Sequence, residues 1–309
     1  MKLFTRVLVG LAGLLLLFSV GAWLGFVHWA GDVLALFVPY WAGGTAVLLF
    51  IFLILRHRMG GVLAGIALLL NLMPLVGYLP LSRSAVASQP ADLRLMVYNI
   101  YYRNNDLDAI RAEVDAFDPD VIFLMEYSFA IQSQIEGQFA DYPYQLIEPS
   151  RMTSGVALFS RVPIIASEVY RFEGTRIPII EATFDVAGQP VTLVGGHPWP
   201  PVDHWANLHA LQVADVRRVA EGAERPLIVA GDFNSVPWSF ELRQLQAAAD
   251  VQDTRRGLGR LTTWIGPSLI RLSLDHVFAS EELVVQSYAQ GQPGGSDHLP
   301  IIVDFALAP

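Results

Sequence analysis

The chain has 309 residues, of which 53% are hydrophobic and none is cysteine, and its formal net charge is −9. Proteins that bind long nucleic acids neutralise phosphates with many Lys and Arg side chains, so this acidic balance argues against a large nucleic acid as partner. The absence of cysteine is compatible with an exported domain that avoids adventitious disulfides, and equally with a cytosolic protein.

The charge is distributed unevenly along the chain. Five of the 20 basic residues and one of the 29 acidic residues precede residue 91. The remainder therefore carries 15 Arg, 28 Asp or Glu and no Lys, which gives it a net charge of −13. The first part of the chain has the composition of a membrane segment, and the second part that of an acidic soluble domain.

Three stretches near the N-terminus contain no charged residue: 7–27, 33–55 and 59–82. At about 1.5 Å rise per residue, each is long enough to cross a hydrocarbon core of about 30 Å as a helix. We therefore predict three transmembrane helices, although Asn71 and Pro74 interrupt the third stretch. A buried helical hairpin or a cleaved signal peptide would each explain only part of the pattern.

Basic residues occur only at those ends of the stretches that would lie on the same side of a membrane. Lys2 and Arg6 precede the first stretch and Arg56 and Arg58 separate the second from the third, whereas the loop 28–32 has no Lys or Arg. The positive-inside rule then places the N-terminus in the cytoplasm. We predict a multi-pass protein of the cytoplasmic (inner) membrane, with its main domain on the extracytoplasmic side.

The membrane anchor, residues 1–84, precedes a linker at 85–91 and one domain at 92–309, in which strand and helix signals alternate. The predicted strands are 93–98, 121–125, 155–159, 179–185, 191–195, 227–230, 272–278 and 301–305. The predicted helices are 106–117, 127–138, 204–222 and 238–248, with Asp106 and Asp203 as caps. This mixture predicts an α/β fold of layered mixed sheets.

Several of the predicted strands end on polar side chains. The apolar run 227–230 leads into Gly231-Asp232-Phe233-Asn234, and side chains two positions apart on a strand point to the same side. At a single strand end, Asn and Asp are ordinary turn residues, but six polar ends in one domain predict a ligand site where the strands converge. The other polar ends are Asn99, Glu126, His197, Asp275 and, after a Gly-rich loop, Asp297-His298.

This set of residues resembles a known family in its order and approximate spacing. The family is the endonuclease/exonuclease/phosphatase superfamily, whose members include nucleases, sphingomyelinases and inositol phosphatases. The resemblance covers about residues 92–307 and rests on the polar strand ends above, with His276 and Ser296 added to their motifs. It implies a four-layer α/β sandwich, with two facing mixed sheets flanked by helices, and Mg²⁺-dependent hydrolysis of phosphoester bonds.

The resemblance implies that Glu126 holds the metal with Asn99 beside it, and that Asp297 completes or orients the metal shell. Oxygen ligands in a chain without cysteine independently favour a hard cation such as Mg²⁺ or Mn²⁺. Some DNA-repair members have an acidic residue two positions after the Asn, where this chain has Tyr101. Metal binding is therefore expected to rest mainly on Glu126.

The resemblance also implies the catalytic roles. Asp232 positions or deprotonates the attacking water, and Asn234 hydrogen-bonds the phosphate. His298, held by Asp275, contacts the phosphate as imidazolium or acts as an acid, since a paired carboxylate raises the pKa of a histidine. His197 is expected to be a second phosphate contact.

Two neighbouring residues receive other assignments. His276 alternates to the opposite face from Asp275 and is interpreted as structural. Trp199 lies in the stiff stretch His197-Pro198-Trp199-Pro200-Pro201 and is a candidate substrate contact, with core packing as the alternative.

The membrane helices, the exported domain and the His-Pro-x-Pro-Pro stretch together resemble bacterial membrane-anchored members of the superfamily, including the teicoplanin-resistance proteins. That resemblance suggests a lipid-linked phosphate or pyrophosphate as substrate. A tether of about ten residues spans at most about 35 Å, which keeps the domain at the bilayer. The expected partners are therefore the lipid bilayer and the phosphate-ester substrate. The alternatives are an exported nuclease and a catalytically inactive membrane-tethered binding protein; no protein partner is evident.

Overall fold

Two six-stranded sheets face each other in the computed structural model, which describes residues 2–80, 91–135, 137–202, 205–259, 262–266 and 269–308. The helices are α1 (Lys2–Gly21), α2 (Ala30–Leu36), α3 (Val38–Ile54), α4 (Arg58–Leu75), α5 (Leu107–Phe117), α6 (Phe129–Ile135), α7 (Ala206–Gly222) and α8 (Phe240–Ala249). The strands are β1 (Leu93–Asn99), β2 (Val121–Met125), β3 (Tyr144–Glu148), β4 (Val156–Ser160), β5 (Ile164–Tyr170), β6 (Ile179–Val186), β7 (Gln189–Gly195), β8 (Leu227–Asp232), β9 (Gln252–Asp253), β10 (Asp275–Ala279), β11 (Leu283–Gln290) and β12 (Ile301–Leu307).

Each sheet is mixed, with one parallel pair in its middle. The first sheet has the order β11-β12-β1-β2-β4-β3, in which β1 and β2 are parallel. The second has the order β5-β6-β7-β8-β10-β9, in which β7 and β8 are parallel. The predicted α/β architecture of facing mixed sheets is confirmed.

The core forms in three layers because side chains alternate along each strand. In β1, Leu95 and Val97 face the second sheet and join the central cluster between the sheets. Met96 and Tyr98 face the other way and pack under α5 and α6. An equivalent cluster lies between the second sheet and the helices α7 and α8. The domain is thus a four-layer sandwich of helices, sheet, sheet and helices.

The ends of the predicted helices shift by a few residues. Asp106 caps α5 as predicted, with its carboxylate accepting a hydrogen bond from the Ala109 N–H at 3.2 Å. The cap predicted at Asp203 lies outside the described residues, as does most of the linker predicted at 85–91. Helix α6 is shorter than the predicted 127–138, because Ser128 precedes it and its hydroxyl accepts from the Ile131 N–H.

The predicted membrane stretches correspond to helices with different boundaries. Two described helices are long and apolar enough to cross a membrane, Leu3–Gly21 and Arg58–Tyr78. Helices α2 and α3 make a third span only if they count as one, because the chain bends by 66° between them. The bend lies at Phe37, directly before a helix that carries Pro39 in its first turn. Three continuous spans are therefore not confirmed.

The long apolar helices alternate in direction: α1 runs towards the sandwich, α3 runs away from it, and α4 runs towards it again. The first half of α1 packs with the end of α3 and the start of α4, around Phe52 and Ala64. The far end of α1 packs near the end of α4, where the Asn71 side chain donates a hydrogen bond to the Ser19 hydroxyl at 2.8 Å. The third predicted stretch is therefore continuous past Asn71, whose side chain is hydrogen-bonded inside the bundle.

The helical bundle packs directly on the sandwich. The Trp238 indole N–H donates to the Ala35 carbonyl at 2.9 Å, and the Asp32 carboxylate accepts from the Phe240 N–H at 2.7 Å. The backbone of Gly77 and Tyr78 accepts hydrogen bonds from the 257–259 segment. A buried apolar cluster joins both parts and includes Ala35, Leu75, Tyr78, Val236, Trp238 and Leu274.

Candidate active site

The polar strand ends of both sheets converge. Asp232 at the end of β8 lies directly opposite Asp275, the first residue of β10. From the other sheet, the Asn99 side-chain nitrogen donates to Asp232 Oδ2 at 2.9 Å and approaches Glu126 Oε1 at 3.3 Å. One amide therefore connects two carboxylates and joins the two sheets at the site.

Glu126 is positioned by an unusual backbone conformation. Its φ of 58° lies in the left-handed region, which a non-glycine residue rarely adopts. The turn aims its carboxylate at the site, where Oε2 accepts from the Tyr102 N–H at 2.9 Å. Backbone strain of this kind clusters at functional sites.

The Gly-Asp-Phe-Asn block makes a similarly constrained turn. Gly231 has a φ of 153°, and a Cβ there would lie 2.0 Å from the Gly196 carbonyl oxygen, so only glycine fits. Asn234 has a φ of 49°, and its N–H donates to Asp232 Oδ1 at 2.8 Å. The turn fixes the Asp232 carboxylate, while the Asn234 side chain donates to the Pro198 carbonyl at 3.0 Å.

His197 reaches the same carboxylate from the end of β7. Its Nδ1–H donates to the Thr153 carbonyl at 2.9 Å, which leaves Nε2 facing the site. Nε2 lies 3.4 Å from Asp232 Oδ2 and 3.3 Å from the Asn234 side-chain nitrogen. Burial lowers the pKa of His197, but the hydrogen bond to Asp232 outweighs burial, so the net pKa is raised.

His298 approaches Asp232 from the opposite side. Its Nδ1 lies 2.8 Å from Asp275 Oδ2, and its Nε2 lies 3.6 Å from Asp232 Oδ2. Burial lowers the pKa of His298, but the carboxylates of Asp275 and Asp232 outweigh burial and raise the pKa to about 10. His298 is therefore an imidazolium at neutral pH.

Asp232 is the centre of this charge arrangement. Burial raises the pKa of its carboxyl group, but the positive charges of His298 and His197 outweigh burial and hold the pKa well below its usual range. A carboxylate with so low a pKa is a weak base, and at neutral pH it accepts hydrogen bonds rather than protons.

Three residues outside the predicted site set hold the site in place. The Ser296 hydroxyl donates to the Asn99 carbonyl at 2.7 Å and accepts from the His298 N–H at 3.0 Å. The Thr263 hydroxyl accepts from the Asp275 N–H at 3.0 Å. The Trp264 indole N–H donates to Asp297 Oδ2 at 2.8 Å, so the Asp297 carboxylate is oriented by an aromatic ring.

No local signal in a single sequence identifies Thr263 and Trp264 as partners of the site. Thr263 and Trp264 belong to a loop that pairs with residues 272 and 298, and both contacts depend on the folded arrangement. Ser296 is contained in the motif that carries the resemblance, but its bond to the end of β1 spans 197 residues of sequence.

His276 lies outside the site, consistent with its structural interpretation. Its Nε2–H donates to the Ser235 carbonyl at 2.7 Å, and its Nδ1 accepts from the Arg255 guanidinium. Arg255 is itself paired with Asp253 at 2.8 Å, and all three side chains are buried. Burial and the charge of Arg255 lower the pKa of His276, which keeps it neutral.

Trp199 is held beside the site by the helix that follows it. The Trp199 N–H donates to the Gln212 side chain at 2.7 Å, and its carbonyl accepts from His209 Nδ1 at 2.6 Å. Its ring meets Trp205 edge-on, with ring centroids 4.4 Å apart. Its indole N–H is buried and has no partner among the described residues. The predicted substrate contact of Trp199 stays a prediction.

The donor set fits a hard divalent cation. The side chains that converge are carboxylates and a carboxamide, and one buried oxygen, Asp275 Oδ1, has no partner among the described residues. Ligand atoms of Asp232, Asp275 and His298 lie within 4.8 Å of one another, but His298 as an imidazolium has no free lone pair for a metal, so the carboxylates are the candidate ligands of this group. The predicted ligands are Glu126, Asn99 and Asp297; in this arrangement the Asn99 nitrogen, rather than its oxygen, faces the carboxylates.

Comparisons with known proteins give one family. The model of the Endonuclease/Exonuclease/phosphatase family matches residues 96–298. Among curated protein sequences, no match was found.

Solved structures of similar fold share little sequence with the chain. D. rerio TDP2 complexed with a single-strand DNA product has a TM-score of 0.59 and 20% identity, covering 69% of this chain and 98% of that one. The human Nocturnin catalytic domain with bound sulfate has a TM-score of 0.55 and 19% identity, covering 71% and 100%. Sphingomyelinase C from Streptomyces griseocarneus has a TM-score of 0.52 and 20% identity, covering 70% and 99%.

The family model and the polar strand ends agree on the same part of the chain. The match extends from β1 to His298 and includes all eight residues whose roles the resemblance implied, from Asn99 to His298. The chain belongs to the endonuclease/exonuclease/phosphatase family, and it is a hydrolase that acts on phosphoester bonds.

Proposed function

We propose that this protein is a membrane-anchored hydrolase, dependent on a divalent metal, that cleaves a lipid-linked or small phosphate or pyrophosphate ester at the outer face of the cytoplasmic membrane. The observation that carries the proposal is the packing of the apolar helices on the loop that follows Asn234. Trp238 in that loop is hydrogen-bonded to Ala35, and Phe240 to Asp32. A site held this close to the bilayer favours substrates that reside there.

The distribution of basic residues supports a location of the sandwich at the outer face of the membrane. Four basic residues lie at the end of the helical bundle away from the sandwich: Lys2, Arg6, Arg56 and Arg58. They lie there because α1 and α4 begin, and α3 ends, at that end of the bundle. Under the positive-inside rule that end is cytoplasmic, and the sandwich is outside. In this topology α2 and α3 together form one bent span.

The site residues have different roles in the proposed hydrolysis. Glu126, with Asn99 and Asp297, would hold Mg²⁺ or Mn²⁺, which offsets negative charge on the phosphate oxygens when it is bound. Asp232 orients the attacking water by accepting a hydrogen bond from it. Because its low pKa makes it a weak base, it takes the water's proton only as the bond to phosphorus forms and the oxygen becomes acidic.

The remaining residues contact the phosphate and the leaving group. His197 and Asn234 donate hydrogen bonds to phosphate oxygens. His298, held by Asp275, is an imidazolium that stabilises the charge of the leaving oxygen and can transfer a proton to it.

A substrate panel tests the proposal. The full chain, purified in detergent, is assayed with Mg²⁺, Mn²⁺ or a chelator against a polyprenyl pyrophosphate, a glycerophospholipid, sphingomyelin and plasmid DNA. We expect metal-dependent cleavage of at least one lipid and little nicking of DNA. Rapid nicking without lipid cleavage would contradict the choice of substrate.

A nuclease is the second candidate, because D. rerio TDP2 of similar fold was solved with a DNA product. Against it stands the net charge of −13 on the domain that carries the site. The plasmid arm of the panel decides between the two.

A further inference from the structure

A cavity distinct from the candidate active site lies where the helical bundle meets the sandwich. It has a volume of about 530 Å³. Its walls come from Trp23 after α1, from Met73, Pro74, Gly77 and Tyr78 at the end of α4, from the loop at Trp238, from α8, and from the segment after α8 that includes Arg256. None of the residues that form the candidate active site lines it. If α1 and α4 cross the membrane, this cavity lies at the level of the lipid head groups.

The charge of the cavity is opposite to that of its domain. The domain after residue 90 carries a net charge of −13, yet the cavity is lined by Arg243 and Arg256 and by no Asp or Glu. A cavity at the neighbouring contact between bundle and sandwich is instead lined by Asp32 and Glu241. A third cavity at this contact is lined by Arg271 and by no acidic residue, so what distinguishes the present cavity is its pair of arginines.

The two guanidinium groups form no close ion pair within the described part of the chain, although the charge of Arg243 acts on the buried Asp32 carboxylate. Neither Arg243 nor Arg256 takes part in an ion pair there, whereas several half-buried arginines of this domain, such as Arg111 and Arg161, do. The Nε–H of Arg243 is buried and has no hydrogen-bond acceptor among the described residues. An unmet buried donor on a charged group costs free energy that an anionic acceptor would recover.

The surroundings hold both arginines at the bilayer side of the domain. Arg243 lies over the Trp23 ring, with 5.4 Å between its Cζ and the ring centroid. The Arg256 guanidinium packs against Gly77, where a Cβ would come within 3.2 Å of Nη2. Trp and Tyr side chains such as Trp23 and Tyr78 are typical of the membrane interface.

We propose that this cavity binds the phosphodiester head group of an anionic phospholipid. Arginine recognises phosphate through paired, planar N–H donors, and basic residues near a bilayer attract anionic lipids. Bound lipid fills the junction between the bundle and the sandwich and thereby fixes how the catalytic domain sits on the membrane. The proposal rests on the membrane anchoring proposed above, and not on the identity of the substrate.

Lipid binding by the full chain tests the proposal. The detergent-purified, delipidated protein is titrated with short-chain phosphatidylglycerol, short-chain phosphatidylcholine or inorganic phosphate, and binding is read by native mass spectrometry and by thermal stabilisation. We expect phosphatidylglycerol to bind and to stabilise the protein more than either alternative does. Equal stabilisation by inorganic phosphate would indicate a free-phosphate site, and equal stabilisation by phosphatidylcholine a site without anion preference; either result overturns the proposal.

Substitutions of the two arginines test whether the lipid binds in this cavity. The double substitution Arg243→Gln with Arg256→Gln should weaken phosphatidylglycerol binding about tenfold or more, because each hydrogen bond to a charged group is lost. Arg243→Lys with Arg256→Lys keeps the charge and should retain part of the binding, and Arg218→Gln, exposed on α7, is the matched control. Unchanged binding in the double Gln variant overturns the proposal.

A soluble substrate separates this proposal from the proposed function. Hydrolysis of bis(p-nitrophenyl) phosphate with Mg²⁺ should be unchanged in the double Gln variant, which also shows that the variant is folded. If the variant is unfolded, the Lys pair and the single Arg243→Gln replace it as the test. Partial binding with the Lys pair and weaker binding with Arg243→Gln support the site, and unchanged binding with Arg243→Gln overturns it. Lipid binding in a protein that cleaves no lipid would leave this proposal standing and contradict the substrate.

Discussion

His298 donates its Nδ1–H to Asp275 at 2.8 Å, and Asp275 lies directly across the β8–β10 ladder from Asp232. This relationship places an imidazolium between two carboxylates, with its Nε2 directed at Asp232. The geometry gives His298 a fixed tautomer and a raised pKa, and it makes Asp275 the residue through which His298 is positioned.

Asp275→Asn tests that relationship. The amide cannot hold the imidazolium as a carboxylate does, so we expect kcat to fall by about 10²- to 10⁴-fold with a smaller change in KM. The measurement is steady-state hydrolysis of bis(p-nitrophenyl) phosphate at saturating Mg²⁺. Asp250→Asn, an exposed carboxylate after α8, is the control and should be unaffected. Activity of the Asp275 variant within twofold of the wild type would contradict the role.

The same pair should make stability fall at alkaline pH. The pKa of His298 is about 10 in the folded protein, against an ordinary value of 6.5 for the unfolded chain, so the folded protein keeps a proton that the unfolded chain releases. This contribution is complete below pH 6.5 and is lost as pH rises towards 10. Thermal unfolding of the wild type between pH 6 and 10 should therefore fall more steeply than that of Asp275→Asn. Parallel curves for the two proteins would show that Asp275 does not cause the shift.

His209 predicts the opposite dependence at acid pH. Burial lowers the pKa of His209 to about 4, so the folded protein resists a proton that the unfolded chain binds below pH 6.5. Stability should fall as pH drops from 6.5 to 4, by at most about 3 kcal/mol from this residue. His209→Gln should flatten this slope, and His28→Gln, an exposed histidine, should not. Chemical unfolding at pH 4.5, 5.5 and 7 measures the difference, and equal slopes would refute it.

Trp264 should tune metal affinity through Asp297. If Asp297 completes the metal shell, then Trp264→Phe removes the hydrogen bond that orients its carboxylate while keeping an aromatic ring. Partners of metal ligands typically change affinity by about 10- to 100-fold, so the Mg²⁺ concentration for half-maximal activity should rise by about that factor. Activity at saturating Mg²⁺ should change little. A lower maximal rate at unchanged Mg²⁺ dependence would assign Asp297 to another role, and Trp29→Phe is the control.

The eight strands predicted from the sequence are all present, and the four that were missed share one property. They are β3, β5, β9 and β11, which are the two edges of each sheet. An edge strand has a neighbour on one side only and is partly exposed, so it does not require an apolar run. In β5, for example, residues 165–168 are all exposed. Hydrophobic periodicity therefore located the interior of each sheet and not its borders.

The predicted ends of helices and strands were wrong where a polar contact, rather than the apolar pattern, determines where the element begins or ends. The predicted strand 272–278 begins only at Asp275, because the N–H groups of Leu274 and Asp275 are taken by the Thr263 hydroxyl rather than by a strand. The cavity with Arg243 was also not predictable from the sequence, because it forms from segments of the bundle and the sandwich that are distant along the chain. The bend at Phe37 has a local signal, since Pro39 lies in the first turn of the helix that follows.

The convergence of the predicted site residues could be inferred from the sequence because most of them lie at or next to a strand end. Asn99, Glu126, His197, Asp232 and Asp275 follow or begin apolar runs, and strand ends of facing sheets meet at one edge. Their individual roles are not fixed by position alone. The pairing of His298 with Asp275 follows the expected pattern, whereas the Asn99 nitrogen, which faces two carboxylates, leaves its role as a ligand a prediction.

Gly231 allows the strongest test of how backbone geometry supports the site. A Cβ at this position would lie 2.0 Å from the Gly196 carbonyl oxygen, and the φ of 153° disfavours any other residue. Gly231→Ala must push β7 and β8 apart next to Asp232, so we expect a loss of about 2 kcal/mol or more in the free energy of unfolding. Activity should fall further than the folded fraction does, because the carboxylate moves with the strand.

Gly222→Ala is the matched control for that substitution. It lies at the end of α7 with open space around the added methyl group, and alanine is the better helix former. We expect unchanged activity and equal or slightly higher stability, measured by thermal unfolding and hydrolysis of bis(p-nitrophenyl) phosphate. If Gly231→Ala behaved like Gly222→Ala, the close approach of β7 and β8 would not be what positions Asp232.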